Sequence, residues 1–118
     1  MPKPTTRTAL PVPVRRAVRK LGQDIRDARL RRRIPTEILA QRASISRMTL
    51  YNVENGNINV SIGTYATILF VLGMIDRVGT LADANEDTLG RQLEEERLPK
   101  RIRLSRKKIA SPGDTKAS

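Results

Sequence analysis

The chain has 118 residues and a formal net charge of +11, the length of one small domain with tails. It contains neither Cys nor His, which excludes disulfides, the usual zinc sites and histidine-based acid–base or triad chemistry. Three aromatic residues in all are too few for stacking single-stranded bases, so a polyanionic partner of another kind is the first expectation.

The charge is unevenly spread. Residues 1–33 carry a net +9, residues 34–82 are neutral, residues 83–98 carry −4 and residues 99–118 carry +6. A neutral centre between basic ends suggests a folded unit with phosphate-seeking arms; for the C-terminal end, a merely solubilising tail is the alternative. The longest apolar run, residues 66–75, is broken by Thr67 and Gly73 and falls short of the ~18 residues that span a bilayer. Residues 1–20 carry charges where a signal peptide needs an apolar core. The expectation is a cytoplasmic, nucleoid-associated protein with no membrane partner.

In chain order, residues 1–13 hold four of the seven prolines and no helical period, so they read as a disordered arm. From Val14 onward Val18, Leu21, Ile25 and Ala28 recur at three- and four-residue steps, one apolar face of a helix. Arg15, Arg16, Arg19, Lys20 and Arg26 cover the rest of its surface. Pro35 ends this helix or opens the next. A short second helix runs to about Ala43, with Ile38 or Leu39, Ala40 and Ala43 inward. Ser44-Ile45-Ser46 fits a tight turn between helices, and Ser46 can cap a third helix over residues 47–54. That helix turns Leu50 and Val53 inward and stops at Asn55-Gly56-Asn57, with Gly56 as the left-handed residue.

Ser61 caps a fourth helix over residues 62–72, with Ile62, Tyr65, Ile68, Leu69 and Leu72 as its apolar stripe and Gly73 at its end. Residues 74–82 fit two readings. Ile75, Val78 and Leu81 share a helical face, whereas Val78-Gly79-Thr80-Leu81 also suits a short strand. Asp87 can cap a helix over residues 88–98 that aligns Leu89, Leu93 and Leu98, and Pro99 closes it. Residues 99–118 are short, basic and alternating, and read as a largely disordered tail. The expected organisation is therefore an arm (1–13), a domain (14–82), a helix (83–98) and a tail (99–118).

The run Leu39-Ala40-Gln41-Arg42-Ala43-Ser44-Ile45-Ser46-Arg47-Met48-Thr49-Leu50-Tyr51-Asn52-Val53-Glu54-Asn55-Gly56 resembles the Cro/repressor-type helix-turn-helix family. The family pattern is L-A-x-x-A-G-[IV]-S-x-x-T-[IL]-x-x-[IV]-E-x-G. This chain departs from it at Ser44, where the turn usually has Gly, and at Pro35-Thr36, where the second helix usually begins Thr-Gln. The resemblance covers about residues 18–73. It implies an all-α fold: a five-helix domain with a C-terminal helical extension, and one short dimerisation strand if residues 78–81 take the extended reading.

A helix fits the DNA major groove, where base edges carry a distinct donor and acceptor code. The family docks its recognition helix with the N-terminal end towards the bases. Arg47, Met48 and Thr49 would then meet DNA, with Asn52 one turn on. Arg47 suits a bidentate contact to guanine, Asn52 a contact to adenine or phosphate, and Met48 a thymine methyl. Thr36, Arg42, Ser46, Tyr51 and Asn55 complete the candidate DNA surface. Arg29 and Glu54 match a pair that the family often buries as a structural ion pair; their spacing alone fits two separate surface charges equally well.

Three further stretches, at residues 60–66, 81–83 and 98–103, resemble HipB-type antitoxins, the regulators encoded beside HipA-type kinases. That resemblance implies a repressor that controls its own promoter and binds a kinase toxin. The expected partners are a palindromic double-stranded operator, a second copy meeting at Val78, Leu81, Leu89 and Leu93, and such a kinase. One alternative is an interaction protein whose main task is to mask the kinase; another is a phage-type repressor with no toxin. No catalytic residue, metal site or cofactor is expected: Asp24, Asp27, Glu37 and Glu54 form no cluster by spacing, and there is no phosphate-cradling glycine loop.

Overall fold

The computed structural model describes residues 10–97. The expected arm over residues 1–9, Leu98, Pro99 and the basic tail to residue 118 lie outside them. The chain divides into two compact units, the first ending at Val78 and the second beginning at Gly79, four residues before the expected boundary.

The first unit holds five helices, the last ending one residue past its boundary: α1 (Val12–Arg31), α2 (Thr36–Arg42), α3 (Arg47–Glu54), α4 (Ile62–Val71) and α5 (Ile75–Gly79). The arm was expected to run to residue 13, but α1 opens at Val12 behind Pro11, with Pro13 in its first turn. Proline is accommodated there because its missing N–H would have no partner within the helix anyway. Pro35 precedes α2 in extended backbone, as the restricted φ of proline favours.

The core draws on four helices. Ile25 and Ala28 come from α1, Leu39 and Ala40 from α2 with Ala43 just after it, and Leu50 and Val53 from α3; Tyr65, Ile68 and Leu69 come from α4, with Leu72 at its end. Val18, Leu21, Ile34, Ile45, Val60, Met74 and Val78 pack at its edge. One member of the expected stripe is missing: Ile62, in the first turn of α4, lies past the packed layer and is 71% exposed.

All of α1 to α4 end in the same way. The residue after the helix cap has positive φ: Arg33 (53°), Ser44 (58°), Gly56 (71°) and Gly73 (83°). In each case the next N–H reaches back five residues: Ile34 N to Arg29 O (3.2 Å), Ile45 N to Ala40 O (2.9 Å), Asn57 N to Asn52 O (2.9 Å) and Met74 N to Leu69 O (2.7 Å). These are Schellman motifs, which satisfy carbonyls that a helix end would otherwise leave open. For Arg33 and Ser44 the left-handed backbone costs about 1–2 kcal/mol that glycine would avoid.

The extended reading of residues 78–81 is corrected. Among the described residues there is no strand; Val78 and Gly79 close α5, and Asp83 N bonds Thr80 O (3.2 Å) to make the following turn. The Met74 bond to α4 starts α5 close against the core, and Val78 gains burial there, which outweighs the helix penalty of Gly79.

In the second unit Asp83 caps a short 3-10 turn (Ala84–Glu86), its carboxylate accepting from Asn85 N (2.7 Å). Asp87 then caps α6, residues 88–97, by accepting from Gly90 N (2.9 Å). None of residues 79–97 is buried. Among the described residues no helix is long and apolar enough to cross a membrane.

Candidate nucleic-acid interface

The site begins at the turn joining α2 to α3. Ser44 takes the left-handed conformation, which reverses the chain, and half-buried Ile45 anchors the turn to the core. Ser46 then caps α3: its hydroxyl accepts from Thr49 N (3.0 Å) and donates to Thr49 Oγ1 (2.9 Å). This cap occupies both side chains, so Ser46 and half-buried Thr49 set the start of α3 before they offer anything to a ligand.

The inner side of α3 is fixed by three contacts. Leu50 and Val53 are fully buried. Glu54, its last residue, receives a bidentate pair from Arg29 of α1: Nε donates to Oε2 (2.7 Å) and Nη2 to Oε1 (3.2 Å). Arg29 Nη1 donates to Ile34 O (3.1 Å), so the guanidinium also ties down the loop before α2. Both side chains are only 9% exposed, which makes the pair a buried one with charge-assisted bonds, not two separate surface charges.

The third contact is between backbones. A Cβ on Gly22 would lie 2.3 Å from Val53 O and 2.8 Å from Gly56 N. One on Gly56 would lie 2.5 Å from the Arg19 Cα. The two glycines let α1 cross the C-terminal end of α3 at backbone contact, which no larger residue permits. Reading the sequence identified Gly56 through its cap role but missed Gly22. A glycine between apolar positions of a helix is the available signal, since it costs about 1 kcal/mol against alanine and needs a packing reason.

The outer side of α3 is open. Arg47 is exposed, Met48 is 66% and Tyr51 63% exposed, Asn52 is half-buried and Asn55 is exposed. Met48, Tyr51 and Asn55 follow at three- and four-residue steps and form one stripe. The Asn55 amide donates to Tyr51 O (2.7 Å), which holds that stripe at its C-terminal end. Arg47 Nη1 stands 4.0 Å from Glu37 Oε1 with both side chains well exposed, a loose pair that leaves the guanidinium accessible. Thr36 is exposed at the start of α2. Arg42 is exposed at the far end of α2.

Of the expected pairing residues, Val78 spends part of its surface against its own core. Leu81, Leu89 and Leu93 are exposed in the second unit. Phe70 of α4, which reading the sequence did not single out, is also 65% exposed. Tyr65 is buried and donates its hydroxyl to Asn57 O (2.9 Å), bracing the loop after α3; burial raises its phenol above the ordinary value. Among the described residues no group of three metal-ligating side chains converges.

Comparison with family models, with curated proteins and with solved structures finds no match.

Proposed function

We propose that this protein is a sequence-specific DNA-binding repressor whose α2–turn–α3 segment is a helix-turn-helix. The observation that carries the reading is the two-sided character of α3. Its inner residues Leu50, Val53 and Glu54 are locked, and its outer residues Arg47, Met48, Tyr51 and Asn55 are open. A helix of groove-fitting width, held rigidly and offering a guanidinium, a thioether and amides, suits base edges in the major groove. The net charge of +11 supplies the attraction for phosphates. The protein acts as a dimer on a palindrome with half-sites about 34–36 Å apart, because one such segment reads too few base pairs to find a single operator.

Arg47→Ala is the direct test. It lowers affinity for a duplex enriched by selection from a randomised pool by about 1–3 kcal/mol and leaves affinity for a scrambled duplex nearly unchanged. Equal losses on both duplexes in gel-shift titrations would make Arg47 a phosphate contact and overturn base reading by this residue.

A second reading is the antitoxin, a repressor that also masks a kinase encoded beside it. The observation favouring it is the second unit, where Leu81, Leu89 and Leu93 stand exposed among Asp83, Glu86, Asp87 and Glu94-Glu95-Glu96. An apolar and acidic surface of this kind suits a protein partner better than DNA. Purification of the native complex tests it: a stoichiometric kinase supports the reading, and recovery of the chain with DNA alone overturns it.

A further inference from the structure

The N-terminal half of α1 carries charge that the fold itself does not use. Residues 11–17 are all exposed, Val18 is the first residue to reach the core edge, and the first buried residue is Gly22. Residues 12–17 of this 20-residue helix therefore extend about 9 Å beyond its packed part. They carry Arg15 and Arg16, and Arg19 follows four and three residues on, on the same side of the helix. Lys20 is tied to Asp24 at 2.6 Å, but among the described residues the three arginines have neither an ion pair nor a side-chain hydrogen bond.

That arrangement is unfavourable for the isolated helix on two counts. Like charges at these spacings repel. Arg15, at the end of the first turn, also stands by the positive end of the helix dipole, where no acidic residue or side-chain cap offsets it. An anionic partner would reverse both effects. The geometry also indicates which one. Arg19 passes against Gly56, immediately after Asn55, the last residue of the open stripe on α3. The backbone of Arg19 thus stands beside the end of the stripe Met48–Tyr51–Asn55, with Arg16 and Arg15 about one turn further along α1.

We propose that Arg15, Arg16 and Arg19 form a phosphate clamp that grips the DNA backbone beyond the bases met by α3. This rests on the DNA-binding reading above. The clamp adds affinity without sequence preference, because its groups meet phosphates and no base edges.

The test compares the wild type with an Arg15→Ala, Arg16→Ala, Arg19→Ala variant on two duplexes of about 30 base pairs, one enriched by selection and one scrambled, long enough for two half-sites and their flanks. Alanine favours helix, so the variant keeps its helical content, which circular dichroism checks. Three phosphate contacts in each protomer of the dimer contribute about 5.4 to the slope of log affinity against log salt, so between 50 and 200 mM salt the variant's affinity falls about 1,800-fold less than that of the wild type. The loss is the same on both duplexes, unlike that of Arg47→Ala. A wild type that binds the duplexes with an unchanged slope in the variant overturns the clamp alone. A wild type that binds neither duplex overturns the DNA-binding reading and the clamp with it. A variant that keeps its DNA slope but loses binding to phosphatidylserine vesicles assigns the arginines to a membrane surface and likewise overturns the clamp.

Discussion

Helices α3 and α4 of the first unit and α6 of the second begin alike, with a side-chain oxygen accepting from a backbone N–H three residues on. Their surroundings then differ completely. Leu50 of α3 is fully buried, whereas Leu89 and Leu93 of α6 are 65% and 52% exposed. A good cap starts a helix, but it supplies only about 0.5–2 kcal/mol, and isolated helices of this length are marginal in water. What separates the units is burial. The first gathers apolar residues from four helices into one core, and among its described residues the second has nothing buried. The first unit can hold α3 rigidly, while Leu81, Leu89 and Leu93 of the second stand exposed.

The buried ion pair is where this contrast breaks most sharply. Glu54→Ala leaves Arg29 charged and enclosed, which costs about 3–5 kcal/mol. For a domain of this size that lowers the melting midpoint by more than about 10 °C. A thermal melt shifted by only a degree or two would show that the pair is solvated in practice and that α3 is held by its leucine and valine alone.

Matched truncations sharpen the comparison. Leu50→Ala removes a fully buried side chain and costs about 2–5 kcal/mol in denaturant unfolding. Leu93→Ala, on an exposed position, stays within about 0.5 kcal/mol. Equal losses would mean that Leu93 is buried in solution against a second copy. Sedimentation of the two variants would then show the Leu93→Ala protein dissociating.

A smaller loss than that of Leu50→Ala tests how the core reaches the loop behind α3. Tyr65→Phe removes the bond to Asn57 O and costs about 0.5–1.5 kcal/mol at neutral pH. Because burial raises the folded phenol above its ordinary value, the unfolded chain ionises first as pH rises. The stabilisation is fully present below about pH 10, the ordinary tyrosine value, and is lost as pH climbs through the raised one. Unfolding titrations at rising pH should therefore show the wild type losing more stability than Tyr65→Phe. Parallel curves would remove burial of the phenol as the cause.

Much of the first unit can be read from the sequence, because the signals act over a turn or two of chain. Ser46 and Ser61 cap, Gly56 and Gly73 stop, and Leu50 and Val53 recur at helical spacing. Each depends on neighbours a few residues away, so chain order contains the information. The open stripe on α3 was legible for the same reason: once the inner residues of a short helix are known, the outer ones follow from its period.

Other features were decided only by tertiary structure. Arg29 and Glu54 are 25 residues apart, and their spacing fits a surface pair as well as a buried one; the crossing of α1 over α3 selects between them. Gly22 matters because Val53 and Gly56 pass against it, and no local pattern states that. Val78 suits a strand by composition but folds into α5 because the core offers it burial there. Ile62 belongs to the stripe by period yet stands in solvent because the packed layer stops short of it. Backbone preference is local and can be read residue by residue, whereas burial and charge pairing depend on what the rest of the chain brings alongside.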